Sequence, residues 1–115
     1  MIYIKRIYEP PEKKDGYRIL IDRLWPRGIA KQEAKIDVWV KEIAPSTELR
    51  KWFNHDAVKW KEFKEKYQKE LKNNLELVHQ IKALEKENKT ITLLFAAKET
   101  EYNNAQVLID VLKEN

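Results

Sequence analysis

Two short stretches of the chain carry residue types that could do chemistry. The first is Asp22-Arg23-Leu24-Trp25-Pro26-Arg27-Gly28, and the second is Lys98-Glu99-Thr100-Glu101-Tyr102-Asn103. Together they offer carboxylates, two guanidinium groups, an ammonium and an amide. Arg23 and Arg27 suit a phosphate or a carboxylate, because a planar guanidinium grips an oxyanion through two parallel hydrogen bonds. Asp22, Glu99 and Lys98 are the candidate catalytic groups, since such groups exchange protons once partial desolvation shifts their pKa. Trp25 supplies an apolar wall and Asn103 a directional hydrogen bond. The competing reading is an ion-pair network of Arg23 with Asp22 or Glu99, with Trp25 covering the edge of the core. Charged clusters arise for either reason.

A further cluster comprises Arg50, Trp52, His55, Asp56 and Trp60. A histidine beside a helix start suits a general base. A capping Asp56 with Trp52 and Trp60 packed inward explains the same residues without any activity. Arg50, Trp52 and His55 stand as candidate rim residues for a ligand.

Other chemistries are excluded by counting. There is no cysteine, which removes disulfides, thiolate catalysis and cysteine-based zinc sites. The two histidines, His55 and His79, are far apart in sequence, so no metal motif is present. Ser46 is the one serine, and it lies in a Pro-Ser-Thr-Glu stretch that reads as a helix cap rather than a nucleophile elbow. Two glycines are too few for a phosphate loop or a dinucleotide fingerprint, so no motif implies a cofactor.

These residues need elements to position them. Ile2 to Ile7 alternates and reads as a strand, and Glu9 to Gly16 reads as a loop. Arg18 to Asp22 is a second strand, ending at the Trp25-Pro26-Arg27-Gly28 corner. Ile36, Trp39, Val40 and Ile43 fall at helical spacing, with Pro45 ending that helix. Ser46 caps a short helix running to Trp52 or Phe53. Asp56 caps the next, whose apolar stripe is Trp60, Phe63, Tyr67 and Leu71. Another helix spans Leu75 to Lys86. Thr90 to Ala97 is the clearest strand, apolar enough at its end to be covered on both faces. Thr100 is placed to cap a last helix carrying Ala105, Leu108, Ile109 and Leu112.

The order of strand, strand, helices, strand, helix predicts an α/β fold. It should be a small, mainly parallel sheet flanked by several helices, in one domain over residues 1–115. Ligands of such sheets bind beyond the carboxyl ends of the strands. If the second and third strands run the same way, the two chemical stretches meet there.

The chain has 115 residues, 43% apolar and 37% charged, with a net charge of +4, which suits a folded and well-solvated domain. No 18-residue apolar run exists and the first residues lack an apolar leader, so the expected setting is the cytoplasm with no membrane contact. The basic balance permits an anionic partner without requiring one. Six lysines, Lys59, Lys61, Lys64, Lys66, Lys69 and Lys72, load one helical segment, but Glu62, Glu65 and Glu70 interrupt them. A solvated face is therefore favoured over a nucleic-acid stripe.

The stretch Asp15 to Gly28, the Ala44 to Phe53 segment with His55-Asp56, and Leu93 to Lys98 with Asn103 closely resemble the YeaO-like bacterial proteins. These form the group called domain of unknown function 488. The likeness covers nearly the whole chain in the same order. It implies a small cytoplasmic α/β domain and supplies no reaction, substrate or cofactor. Two positions depart from the pattern: Asn54 stands where glycine is usual, and Tyr102 where histidine often precedes the asparagine. A phenol is a poor base at neutral pH, so no imidazole mechanism is carried over to that edge.

The reading that results is a domain binding a small anionic ligand at the carboxyl edge, with turnover and oligomeric state left open. The alternative is a non-enzymatic module that binds nucleic acid or protein.

Overall fold

The computed structural model describes all 115 residues. Four parallel strands form one sheet in the order β1-β4-β2-β3. The strands are β1 (Ile2–Arg6), β2 (Tyr17–Leu20), β3 (Val38–Trp39) and β4 (Ile91–Phe95). The helices are α1 (Lys31–Ala34), α2 (Thr47–Phe53), α3 (Trp60–Lys72), α4 (Leu75–Asn88) and α5 (Asn104–Glu114). Short 3₁₀ turns lie at Lys13–Asp15, Lys41–Ile43 and Ala57–Lys59.

β4 lies between β1 and β2, pairing Ile4 with Leu93 on one side and Ile19 with Leu93 on the other. Every residue of β4 is buried, as its apolar run predicts for a strand covered on both faces. Alternate residues then divide the core. Ile19, Ile21, Ile91, Leu93 and Phe95 join the larger cluster with the helices, including Phe63, Tyr67 and Leu71 of α3. Ile7, Leu20 and Leu94 face the other way, meeting Ala34, Trp25, Ile29 and Trp39. This second layer consists mostly of irregular chain.

Two sequence expectations are corrected. The Ile36 to Ile43 segment is not a helix: α1 ends at Ala34, β3 follows at Val38–Trp39, and a 3₁₀ turn spans Lys41–Ile43. Ile36, Val38 and Val40 also alternate, and the free edge of β2 offers a ladder to β-branched residues that pack poorly in a helix. The last helix is capped by Asn103, whose Oδ1 accepts the Gln106 N–H at 3.1 Å, and not by Thr100.

Local signals elsewhere hold. The Ser46 hydroxyl accepts the Leu49 N–H at 3.2 Å, and Asp56 accepts the Val58 N–H at 3.0 Å, capping the 3₁₀ turn that leads into α3. Asn54 ends α2 in the left-handed conformation, φ 45° and ψ 41°. Glycine enters that region freely and asparagine tolerates it, which accounts for an exchange between the two there.

The irregular layer is pinned by a buried charge cluster. Asp15 pairs with Arg18 at 2.6 Å and with Lys5 at 3.2 Å. Arg18 also donates to the carbonyls of Ala34 and Lys35. Thr92 of β4 donates to the Asp15 carbonyl at 2.6 Å. Burial alone would raise the Asp15 pKa. The Glu12 N–H, Lys5 and Arg18 outweigh it and hold the carboxyl below its usual range.

Candidate functional site

The carboxyl ends of β1, β4 and β2 lie side by side, which follows from the strand order. At the end of β2, Asp22 turns across the ladder. One carboxylate oxygen accepts the Ala96 N–H at 2.8 Å and the other accepts the Asn104 side-chain amide at 3.1 Å. The Asp22 carbonyl takes the Trp39 indole N–H at 2.6 Å. From the other side of β4, Arg6 donates to the carbonyls of Ala96 and Ala97 at 3.2 and 2.9 Å. The first residues beyond β4 are thus clamped between an aspartate and an arginine. The first turn of α5 is tied to the same point.

Asp22 is half-buried without a salt bridge. Burial is the largest influence on it and raises its pKa, against the opposing hydrogen bonds from Ala96 and Asn104 and the charges of Arg50 and His55. Arg50 and His55 are exposed, and neither makes a side-chain hydrogen bond or ion pair. They belong to α2 and to the turn after it, where His55 has φ 55° and its ring sits 6.4 Å from Phe53.

The other candidates are placed differently. Arg23 lies under the segment before α2, donating to the carbonyls of Ala44 and Pro45 at 3.1 and 3.2 Å. Trp25 packs edge-on against Trp39 at 5.6 Å and donates to the Ile29 carbonyl. Asn103 is buried, with its amide on the Glu99 carbonyl and its oxygen capping α5. Arg27 is exposed and its side chain makes no hydrogen bond; its carbonyl takes the Tyr8 hydroxyl at 2.8 Å. Lys98 and Glu99 are exposed, with Glu99 folded back onto the Glu101 N–H. Trp52 is half-buried beneath the ammonium groups of Lys66 and Lys59, at 4.1 and 5.1 Å. Lys66 also pairs with Glu62 at 3.3 Å.

Sequence reasoning missed Arg6, Asn104 and the ring pair of Tyr102 and Trp60, whose centroids are 5.3 Å apart. Arg6 gained its place only from the strand order. Asn104 was overshadowed by its neighbour, the two asparagines dividing the work of cap and Asp22 partner.

The Ser46 hydroxyl is engaged twice, donating to Glu70 at 2.7 Å and accepting the Leu49 N–H as the cap of α2. No group of three or more histidine or acidic side chains is placed to hold a metal ion. No helix is long and apolar enough to cross a membrane. A cleft of about 270 Å³ lies beside β1, but both its lysines are already paired, Lys5 with Pro10, Glu12 and Asp15 and Lys14 with Glu12.

Fold and site together define a small parallel α/β domain with a polar, clamped carboxyl edge. The chain belongs to the family described as the inactive DUF488-N3 subclade, whose model matches residues 1–115. It is 47% identical over 112 residues to the uncharacterised protein YeaO of Escherichia coli, covering 97% of this chain and 96% of that one. It is 34% identical over 111 residues to an uncharacterised protein of Mycobacterium tuberculosis, covering 96% and 92%. No solved structure matches it.

Proposed function

We propose that this domain binds a small anion at the carboxyl edge of its sheet and does not turn it over. The observation that carries the reading is the contrast between Arg50 with His55 and the remaining candidates. Arg23, Trp25 and Asn103 spend their polar atoms on the fold. Arg50 and His55 are unspent, exposed, and close enough to Asp22 to act on its charge. An unpaired guanidinium can grip a phosphate or carboxylate without breaking any existing contact. Arg27 and Lys98 add unspent positive charge on the loops that follow β2 and β4.

Two features favour binding over catalysis. The hydroxyl of Ser46 is engaged and the chain has no cysteine, so neither a free serine nor a thiolate nucleophile is offered. The family description as an inactive subclade agrees with that.

The test is a titration with inorganic phosphate and small carboxylates, followed by thermal shift and by amide chemical shifts. A ligand at about 100 times its Kd adds about 2.7 kcal/mol of stability to the folded state. Stabilisation of the wild type that is lost in Arg50→Ala supports the reading. Equal stabilisation of both proteins removes Arg50 from it. A flat response to anions, with salt-sensitive retention of an oligonucleotide, would replace it with a nucleic-acid-binding module.

A further inference from the structure

We infer that a second copy of this chain pairs with the free edge of β1, antiparallel to it and about a two-fold axis at Tyr3. The inference is independent of the anion-binding reading above.

β1 is an edge strand, with β4 on one side only. Its pairing uses the backbone of alternate residues. The Ile91 N–H donates to the Met1 carbonyl at 3.0 Å, and the Ile7 N–H donates to the Phe95 carbonyl at 2.8 Å. Met1, Tyr3, Lys5 and Ile7 therefore turn their backbone groups inward, while Ile2, Ile4 and Arg6 turn theirs outward. Arg6 is already closed. Its N–H donates to Glu9 Oε2 at 3.0 Å, and its carbonyl accepts the Glu9 N–H at 3.1 Å. The open stretch is thus Ile2 to Ile4, and an open edge is a template for another strand.

The register makes that strand a second β1. In an antiparallel pair centred on Tyr3, Ile2 stands opposite Ile4 of the second copy, and Ile4 opposite its Ile2. Each such pair exchanges both of its N–H···O bonds, so every open group is satisfied and none is left over. A longer foreign strand would run into the Glu9 closure at Arg6. Tyr3, which is 46% exposed, meets Tyr3 of the second copy at the position where side chains approach most closely.

The same register sets Met1 of one copy opposite Lys5 of the other. The cleft of about 270 Å³ beside β1 lies there, lined by Tyr3, Lys5, Glu9 and Glu12 among others. Met1 is 65% exposed, and its sulfur accepts the Tyr3 hydroxyl at 2.6 Å, so the two side chains share a face. A flexible thioether suits an irregular seat, and the two-fold fills both clefts at once. The charges agree with this. Lys5 is matched by Glu12 and Asp15 at 3.3 and 3.2 Å, so it does not repel the incoming amino end, and the carboxylates of Glu9 and Glu12 favour it.

A short strand pair with two seated side chains is smaller than an obligate interface, so the dimer should depend on concentration. Sedimentation velocity from about 1 μM to about 1 mM should show monomer passing into dimer. Tyr3→Lys and Tyr3→Glu each set like charges against one another at the two-fold and should weaken the dimer about tenfold. An equimolar mixture of the two variants should recover it, because lysine then meets glutamate; misfolded variants would not rescue each other. The Ile2 and Ile4 amides should exchange more slowly in the dimer than in either variant alone. Met1 is the one methionine, so its methyl resonance should show a cross-peak to Lys5 of the other copy in a mixed-isotope sample. A monomer across the whole range overturns the inference. So does a dimer that both variants form unaided, or one in which the Met1 methyl touches no Lys5.

Discussion

The Asp22 carboxylate accepts the backbone N–H of Ala96 at 2.8 Å and so ties the end of β2 to the end of β4. This is the point where the central strand leaves the sheet, and a free N–H there would otherwise be costly to bury. The bond is made by a side chain that the surrounding protein would rather keep neutral, since burial raises the Asp22 pKa. A charge is tolerated because Ala96, Asn104, Arg50 and His55 partly compensate it.

Replacing Asp22 with Asn tests that balance. A carboxyl group with a raised folded-state pKa contributes favourably below its unfolded pKa, and that contribution is lost as pH rises through the folded value. At pH 7 the wild type therefore carries the cost of an ionised, half-buried aspartate. Asparagine can still accept from Ala96 through its carbonyl, and Asn104 can rotate its amide to match the new partner. Asp22→Asn should thus be more stable than wild type at pH 7 in urea unfolding, with the gap closing below about pH 4. It should also hold phosphate more tightly, because a negative charge beside Arg50 and His55 is gone. A variant less stable at pH 7 would mean that the carboxylate's bonds outweigh its desolvation.

Arg23 and Arg50 should separate fold from binding. Arg23 satisfies the carbonyls of the buried residues Ala44 and Pro45. Arg23→Ala leaves both without this donor and should cost about 1–3 kcal/mol in chemical denaturation, with phosphate affinity unchanged while the protein is folded. Arg50→Ala should change stability by less than about 0.5 kcal/mol, as expected for an exposed, unpaired surface residue, and should abolish the phosphate response. The reverse pattern would return the anion to Arg23.

What was legible in the sequence was local. The stripe of Trp60, Phe63, Tyr67 and Leu71, the Ser46 cap and the apolar run of β4 each announce themselves within a few residues. β3 was not legible, because Ile36, Val38, Trp39, Val40 and Ile43 satisfy helical and strand periods alike. Only the open edge of β2 decides between them. The site was half legible. Asp22 stood out as a charged residue at a strand end, but its partner is a backbone N–H 74 residues away, which no side-chain pattern encodes. Arg23 looked like an anion ligand for the same reason that it grips carbonyls: a guanidinium serves any array of oxygen acceptors.

Asp15 should make the protein acid-labile in a defined range. Its folded-state pKa is depressed by Glu12, Lys5 and Arg18 against the opposing effect of burial. The resulting stability is present above the unfolded value of about 3.9 and is lost as pH falls through the depressed one. Asp15→Asn leaves Arg18 and Lys5 without their shared counter-charge and should cost about 3–5 kcal/mol at pH 7. The difference from wild type should begin to shrink below about pH 4, where Asp15 of the unfolded chain takes up its proton, and go on shrinking as pH falls through the depressed folded value. A difference that stays constant from pH 7 to pH 3 would assign the loss to packing or to the bond with Glu12 rather than to charge.

The two glycines give a test of the irregular layer that owes nothing to the site. Both have positive φ, 67° at Gly16 and 75° at Gly28, so alanine is strained at either, and Gly16, with ψ −137°, lies outside the left-handed helical region as well. They differ in what surrounds them. A Cβ on Gly28 meets nothing within 4 Å, whereas one on Gly16 falls 2.3 Å from the Thr90 carbonyl oxygen. That oxygen accepts the Tyr17 N–H at 3.0 Å and starts the pairing of β2 with β4, so it cannot retreat without opening the ladder. Gly28→Ala should therefore lose only the conformational term, and Gly16→Ala should lose that plus the first contacts of the central strand pair. Thermal unfolding and amide exchange distinguish the two. Gly16→Ala should unfold at a markedly lower temperature, with faster exchange at Tyr17, whose N–H is held by Thr90, while Gly28→Ala keeps wild-type protection there. Equal losses would mean that the close approach of Gly16 to Thr90 relaxes freely, and that the loop between β1 and β2 is not held against the sheet by this contact.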